Sequence, residues 1–419
     1  MRSNTPLHRL LGRDPGRITD ELLTDAVAAA LAETDDLDWK SDAPPSSHIA
    51  DGDFPKDVAS MANTGGGVIV YGVTEKGKKA TGRVDIGELT EMHARALNAT
   101  AYSAIRPPVL GLSIYEVGKV PNRAIVVEVP ASTEGPHMVF KNQFFGVPFR
   151  NGADTAWMTE RQIEAAYRAR LEERRRAAEA LTDLYDEAVA NWSWDESNRA
   201  VLVAVAHPRL PLAGAQRVEK TQASELFIDG YSLACGLAGE GIHPLDSVDK
   251  YNPRPGLRRW LVPINPNQGM RWRAATAAVH NDGSVTLTAT VGGHRKSAEG
   301  SHQATEMEAT GIETAVADFA ALVRVVAIKH GLGEYDVRVG IESVEDGEPL
   351  KIFTVDSHGT LYTDISIPLF RYSPVLSTLV ADASDASYQR QVYGLAEDCV
   401  NQGGITVLRK VKLPPEDEE

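Results

Sequence analysis

Apolar positions first recur at helical spacing behind Thr19 or Asp20, which can cap a helix. Leu23, Val27, Ala30 and Leu31 share one face of it, and it is expected to end near Glu33-Thr34-Asp35-Asp36. Leu37-Asp38-Trp39-Lys40 then reads as a short strand, residues 41–53 as a loop rich in Ser, Pro, Asp and Gly, and residues 54–62 as a helix. That helix runs into Asn63-Thr64-Gly65-Gly66-Gly67 and at once into Val68-Ile69-Val70-Tyr71, which reads as a buried central strand. Lys76-Gly77-Lys78-Lys79 is expected at a hairpin tip. A helix over 88–104, strands over 109–117 and 123–129, and an extended stretch over 144–150 lead to Asn151-Gly152-Ala153-Asp154-Thr155. Thr159 caps a long helix reaching about Ala190.

The pattern restarts near Asn198. Strands are expected over 200–206, 260–264, 271–280 and 284–292, the last two joined by the hairpin signal Asn281-Asp282-Gly283. Helices are expected over 220–237, 312–329 (amphipathic) and 384–402, with strands near 335–342 and 350–355. The predicted class is α+β. The first domain covers 1–157 and a connector helix 158–194. A second α+β domain of unassigned fold covers 195–410, and 411–419 form an acidic disordered tail.

Composition narrows the functional classes. The chain has 419 residues, enough for two domains, and 42% hydrophobic residues, enough for a large core. Its formal charge of −15 argues against indiscriminate coating of nucleic acid but leaves room for a local basic groove. The two cysteines, Cys235 and Cys399, lie in predicted helices far apart with no CxxC spacing, which argues against a thiolate zinc site and suits a reducing compartment. With no run of about 18 apolar residues, a soluble cytoplasmic protein is expected.

Several segments could carry chemistry. The Asn63-Thr64-Gly65-Gly66-Gly67 turn offers positive φ and backbone N–H groups that could meet a phosphate, or it is a tight connection only. Lys40 follows Asp38 by two and faces the same side of the strand, to hold a phosphate or to pair with an acid. Gly72 to Lys79 comes near a phosphate-binding P-loop. However, Lys79 stands where Ser or Thr must reach Mg²⁺, and no helix follows, so ATP binding is a third-rank reading. Lys76, Lys78 and Lys79 fit an exposed basic tip better. Arg161, Arg168, Arg170 and Arg174 to Arg176 could line a basic stripe or a salt-bridged helix face. Arg258-Arg259-Trp260 and Arg271-Trp272-Arg273 could stack on bases or alternate across a sheet. His207, His280, His294, His302 and His358 show no metal-ligand spacing.

Asp38-Trp39-Lys40, Met61 to Val73, Pro107-Pro108, and Phe149-Arg150-Asn151-Gly152 with Thr155 appear in the order found in the Schlafen AlbA-type domain. Residues 18–170 resemble that family of nucleic-acid-binding domains. The resemblance implies binding of RNA or DNA through Lys76, Lys78, Lys79 and Arg150, with Asn63, Thr64, Gly65 and Gly66 beside them. Some relatives cut structured RNA with three carboxylates. The matching positions here are Glu33, Asp38 and Glu75, two of them with Asp and Glu exchanged. The resemblance thus implies a Mg²⁺ or Mn²⁺ site, with Lys40 steadying the phosphate. It also implies a possible homodimer. The rival expectation is a non-catalytic DNA-binding regulator whose second domain senses a ligand or partner.

Overall fold

The structure, a computed structural model, describes residues 5–141, 144–193, 199–210, 218–264, 274–293, 296–297, 300–301, 303–343, 348–355, 361–362 and 366–415. The chain divides into two compact units, Met1–Arg174 and Arg175–Glu419, so the boundary falls inside the long helix.

In the first unit the elements are α1 (Pro6–Leu11), α2 (Asp20–Ala28), β1 (Leu37–Lys40), α3 (Phe54–Ala62), β2 (Gly67–Tyr71), β3 (Val73–Lys76), β4 (Lys79–Arg83), α4 (Glu91–Ala104), β5 (Ile105–Arg106), β6 (Ser113–Val117), β7 (Ala124–Val129), β8 (Met138–Lys141), β9 (Phe144–Gly146), β10 (Pro148–Asn151) and β11 (Asp154–Trp157). Helix α5 (Glu160–Ala190) begins in this unit. The central sheet has the order β1-β2-β7-β6, with β1 parallel to β2 and the other pairs antiparallel.

Alternation along these strands builds two cores. Leu37, Trp39, Val68, Val70 and Val126 pack with Leu7, Leu22 and Leu23 of α1 and α2. Ile69, Tyr71, Ile125 and Val127 pack with Val58 and Met61 of α3 and Leu97 of α4. Because Asp38 pairs in register with Ile69, and Lys40 with Tyr71, both face the α3 side.

Helix α2 stops at Ala28, earlier than its apolar spacing predicts. Ala30 takes φ 47°, and the chain then pairs with the β4 edge: Ala80 N–H donates to Leu31 O (3.0 Å) and Glu33 N–H to Lys78 O (2.8 Å). Backbone pairing with the hairpin thus overrides local helix propensity and sets Glu33 beside β3–β4.

The second unit is a seven-stranded antiparallel sheet. Its order is Arg254–Gly256, Arg259–Val262, Ala275–His280, Val285–Thr290, Val201–Pro208, Glu334–Glu342 and Val375–Val380. Val201–Pro208 is buried on both faces. Leu202, Ala204 and Ala206 join the helix-covered core, while Val201, Val203 and Val205 meet Leu181 and Tyr185 of α5.

Helix Ala309–His330 forms where its pattern predicts, but it is buried on nearly all sides rather than on one face. It packs against helices Lys220–Ala238 and Asp385–Asn401 and against the sheet, and even Glu313, Asp318 and Arg324 are buried. Its polar positions are neutralised inside: Glu313 accepts from the N–H groups of Arg409, Lys410 and Val411, and Arg324 pairs with Asp385 at 2.8 Å. Those amide contacts also correct the expected disordered tail. Val411 is fully buried and the chain is described through Pro415; residues 416–419 lie outside the described residues.

Candidate functional site

The face of β1 that meets α3 carries an unusual density of charge. Asp38 is 2% exposed and Arg150 5% exposed. Arg150 Nη1 lies 3.2 Å from Asp38 Oδ1, and Lys40 Nζ lies 2.8 Å from Asp38 Oδ2. Arg150 Nη2 donates to Thr34 O (3.2 Å), and the Arg150 backbone N–H donates to Thr64 Oγ1 (2.8 Å). Lys40 also stands 3.9 Å from the buried Asp57 of α3. Burial works against the Lys40 charge, but the Asp38, Asp57 and Glu33 carboxylates outweigh it and raise its pKa.

Burial has the opposite consequence at Asp57. It pushes the carboxyl up to about 6, with Asp38 and Asp53 adding repulsion and Lys40 and Lys56 opposing. A folded pKa above the ordinary aspartate value near 3.9 means that Asp57 favours the fold fully below that value. This contribution is lost as pH rises through about 6. Asp57→Asn is therefore expected to raise stability at pH 7.5 by about 2–3 kcal/mol and to leave it nearly unchanged near pH 4. Urea denaturation at the two pH values checks this; a loss of stability at pH 7.5 would mean that the lysine contacts dominate.

The glycine-rich turn beside this cluster is a packing device. Asn63 Nδ2 donates to His137 O (2.9 Å) and Pro148 O (2.8 Å), and Asn63 Oδ1 accepts from His137 N–H (2.7 Å). Thr64 Oγ1 donates to Ser60 O (2.8 Å). Gly66 has φ 88°, and a Cβ there would lie 2.6 Å from Ala131 N, so only glycine fits. Gly65 alone of this turn is exposed. The turn holds β10 against α3 and thereby carries Arg150 to Asp38.

Glu33 is half-buried and its Oε1 accepts from Trp39 N–H (3.1 Å). Burial raises its pKa, and repulsion from Asp38 and Glu75 adds to this against the Trp39 hydrogen bond. Glu75 is exposed on β3, at an irregularity in the β3–β4 pairing. Glu33 therefore feels both of the other carboxylates. Yet among the described residues no three His, Cys, Asp or Glu side chains form a group that could hold a metal ion. With the Asp38 carboxylate held by Lys40 and Arg150, the residues present do not fit a three-carboxylate divalent-ion site in this arrangement.

Arg150 likewise does not present a guanidinium to solvent, contrary to the phosphate-contact role implied for it. Its partners are Asp38 and Thr34. The basic tip, in contrast, forms as predicted. Gly77 and Lys78 sit between the paired Lys76 and Lys79 with φ 61° and 60°, the left-handed pair that a two-residue hairpin turn requires. Lys76 and Lys79 are exposed and make no ion pair among the described residues, while Lys78 pairs with Asp154 at 2.6 Å. No P-loop helix follows; β4 returns along β3.

Residues 33–159 match the family model described as Schlafen, AlbA_2. The chain carries a Schlafen AlbA_2 domain. Similarity to this family points residues 33–159 toward nucleic acid. No curated protein matches the chain. Among solved structures, the DIP2311 protein of Corynebacterium diphtheriae is similar at 19% identity and a TM-score of 0.26. The match covers 41% of this chain and 34% of that one, so the chain spans about a third of that protein's length.

The other basic candidates are mostly neutralised. Arg168 pairs with Glu164, Arg170 and Arg174 with Glu134, and Arg175 with Glu179. In the second unit Arg259 pairs with Glu187, and the buried Trp260 donates its Nε1–H to Val218 O (2.9 Å), so this pair alternates across a sheet. Arg271, Trp272, Arg273, His294, His302 and His358 lie outside the described residues. Sequence reasoning missed Asp57. Its signal was an acid three residues after Phe54 and four before Met61, on the apolar face of α3.

Proposed function

We propose that the chain binds RNA or DNA through its AlbA_2 domain, with the β3–β4 hairpin tip making the phosphate contacts. The observation that carries the reading is the pair Lys76 and Lys79. They are exposed and without acidic partners among the described residues, in a unit where most other cations are internally paired, and they lie within the family match. Phosphate contacts need positive charge and reach and do not read sequence, so an acidic protein can bind with a small basic site. Lys78 serves the turn, tethered to Asp154.

The proposal stops at binding. Metal-dependent cleavage would require Asp38 to leave Lys40 and Arg150, and the buried ion pairs favour the non-catalytic reading. The test measures the affinity of the full chain for RNA and for duplex DNA across a range of salt, in Mn²⁺ and in EDTA. Lys76→Ala/Lys79→Ala is expected to weaken binding to all sequences alike and to reduce the slope of log K against log salt by about 2. An unchanged slope would remove the hairpin from the interface, and absence of any binding would overturn the proposal.

A further inference from the structure

The seven-stranded sheet of the second unit has two unlike edges. At one end, Arg254–Gly256 is three residues long and carries an arginine and a proline, features that discourage a further strand. At the other end, Val375–Val380 has six residues with no charge and no proline, and its register against Glu334–Glu342 is unbroken. Among the described residues no further strand pairs with it. This edge lies outside the Schlafen match and does not depend on the nucleic-acid reading.

The register settles which backbone groups point outward. Ala381 N–H donates to Gly333 O (2.8 Å), so Leu379, Ser377 and Val375 also turn their N–H and C=O toward the sheet. Val380, Thr378 and Leu376 turn theirs away. Side chains at both ends of helix Asp385–Asn401 cover the ends of this row. Gln391 Oε1 accepts from Val380 N–H (2.7 Å), while the Gln402 amide accepts from Ser373 N–H (3.0 Å) and donates to Ser373 O (2.9 Å). Leu376 and Thr378 lie between the two glutamines. Leu376 is 70% exposed, and Ser377 beside it is exposed as well.

The strand is complementary to itself. A two-fold axis normal to the sheet pairs it antiparallel with a second copy and keeps like faces together. Centred on Leu376, this pairing sets Thr378 against Pro374, which has no N–H. Centred on Thr378, it sets Leu376 against Val380, whose N–H Gln391 already holds. Centred on Ser377, it sets Leu376 against Thr378 of the second copy and Thr378 against Leu376, and each pair exchanges both N–H···O bonds. Charge agrees with this direction. Arg371 precedes the strand and Asp382 follows it, and both are exposed with no ion pair among the described residues. Antiparallel pairing brings the arginine end of one copy to the aspartate end of the other; parallel pairing would bring like charges together.

We infer that Val375–Val380 is an interface between two copies of this chain, joined antiparallel about Ser377 into one continuous sheet.

The test measures sedimentation of the full chain over a series of concentrations, beside Leu376→Lys, Arg371→Asp and Arg371→Asp/Asp382→Arg. Wild type is expected to shift from monomer toward dimer as concentration rises. Leu376→Lys places a charge on the edge at an exposed position and is expected to stay monomeric over the same range. Arg371→Asp is expected to weaken the dimer about threefold or more, and the double exchange to return it near wild type. That recovery requires a folded chain, so it decides the matter even if the lysine variant misfolds. A wild type that stays monomeric throughout would overturn the inference. A dimer that persists in Leu376→Lys would place the contact on another surface and overturn it equally. A double exchange no better than Arg371→Asp would overturn the antiparallel register.

Discussion

Arg150→Ala is expected to destabilise the first unit by about 3–5 kcal/mol, since it leaves the buried Asp38 carboxylate with Lys40 as its remaining cation partner. The same change strips Thr34 O of its Nη2 donor. Arg150→Lys restores a charge but not the fork that reaches Asp38 and Thr34 together, so it should recover part of the loss. Urea denaturation of the two variants checks the order wild type, lysine, alanine. If Arg150 instead acted at the surface on phosphate, alanine would change stability by less than about 0.5 kcal/mol and would lower nucleic-acid affinity alone. The prediction thus separates a guanidinium that builds the domain from one that touches a ligand.

The second large effect is expected at His243, in the other unit. His243 Nδ1 lies 2.5 Å from Asp318 Oδ1, and Nε2 lies 2.8 Å from Gly239 O. With acceptors on both sides, the ring is placed to donate from both nitrogens, while burial raises the Asp318 carboxyl as well. Burial acts to lower its pKa, but Asp318 and the Gly239 carbonyl outweigh burial and raise it above the usual histidine value. The remaining Asp318 oxygen accepts from Leu245 N–H (2.7 Å). Nearby, Lys250 stands over the Tyr231 ring and pairs with Asp246 at 3.2 Å.

A raised folded pKa contributes stability that is fully present below about pH 6.5 and is lost as pH rises through the folded value. Wild type should therefore lose stability between neutral and mildly alkaline pH. His243→Ala leaves a fully buried carboxylate without its cation, and is expected to cost about 3–5 kcal/mol at pH 6 while abolishing this alkaline loss. Guanidinium denaturation from pH 6 to 9 on both proteins reads the two effects together. A wild-type profile as flat as the variant's would mean that the ring is neutral.

The parts of the fold legible in the sequence are those that local chemistry decides. Helix Phe54–Ala62, strand Gly67–Tyr71 and the Lys76–Lys79 turn lie where periodicity and glycine chemistry place them. The strand Met138–Lys141 and the edge strand Val375–Val380 escaped; the first is four residues long, and the second is fixed by its pairing with the distant Glu334–Glu342. For the candidate site, the two-residue spacing of Asp38 and Lys40 revealed their shared face. What that face meets was not legible. Asp57 and Arg150 reach it only through the packing of α3 and β10, and their burial turns a proposed ion site into an internal charge network. Burial of Glu313 and Asp318 was hidden for the same reason: their neutralising partners come from residues 409–411 and 243, far along the chain.

Photocrosslinking tests the central claim most directly. The full chain is bound to 4-thiouridine-labelled RNA, or to the corresponding thymidine-analogue DNA, irradiated, digested, and the modified peptides are read by mass spectrometry. Crosslinks are expected within residues 33–159, concentrated on the peptides that carry Lys76 to Lys79. Crosslinks confined to residues 175–419 would contradict the account.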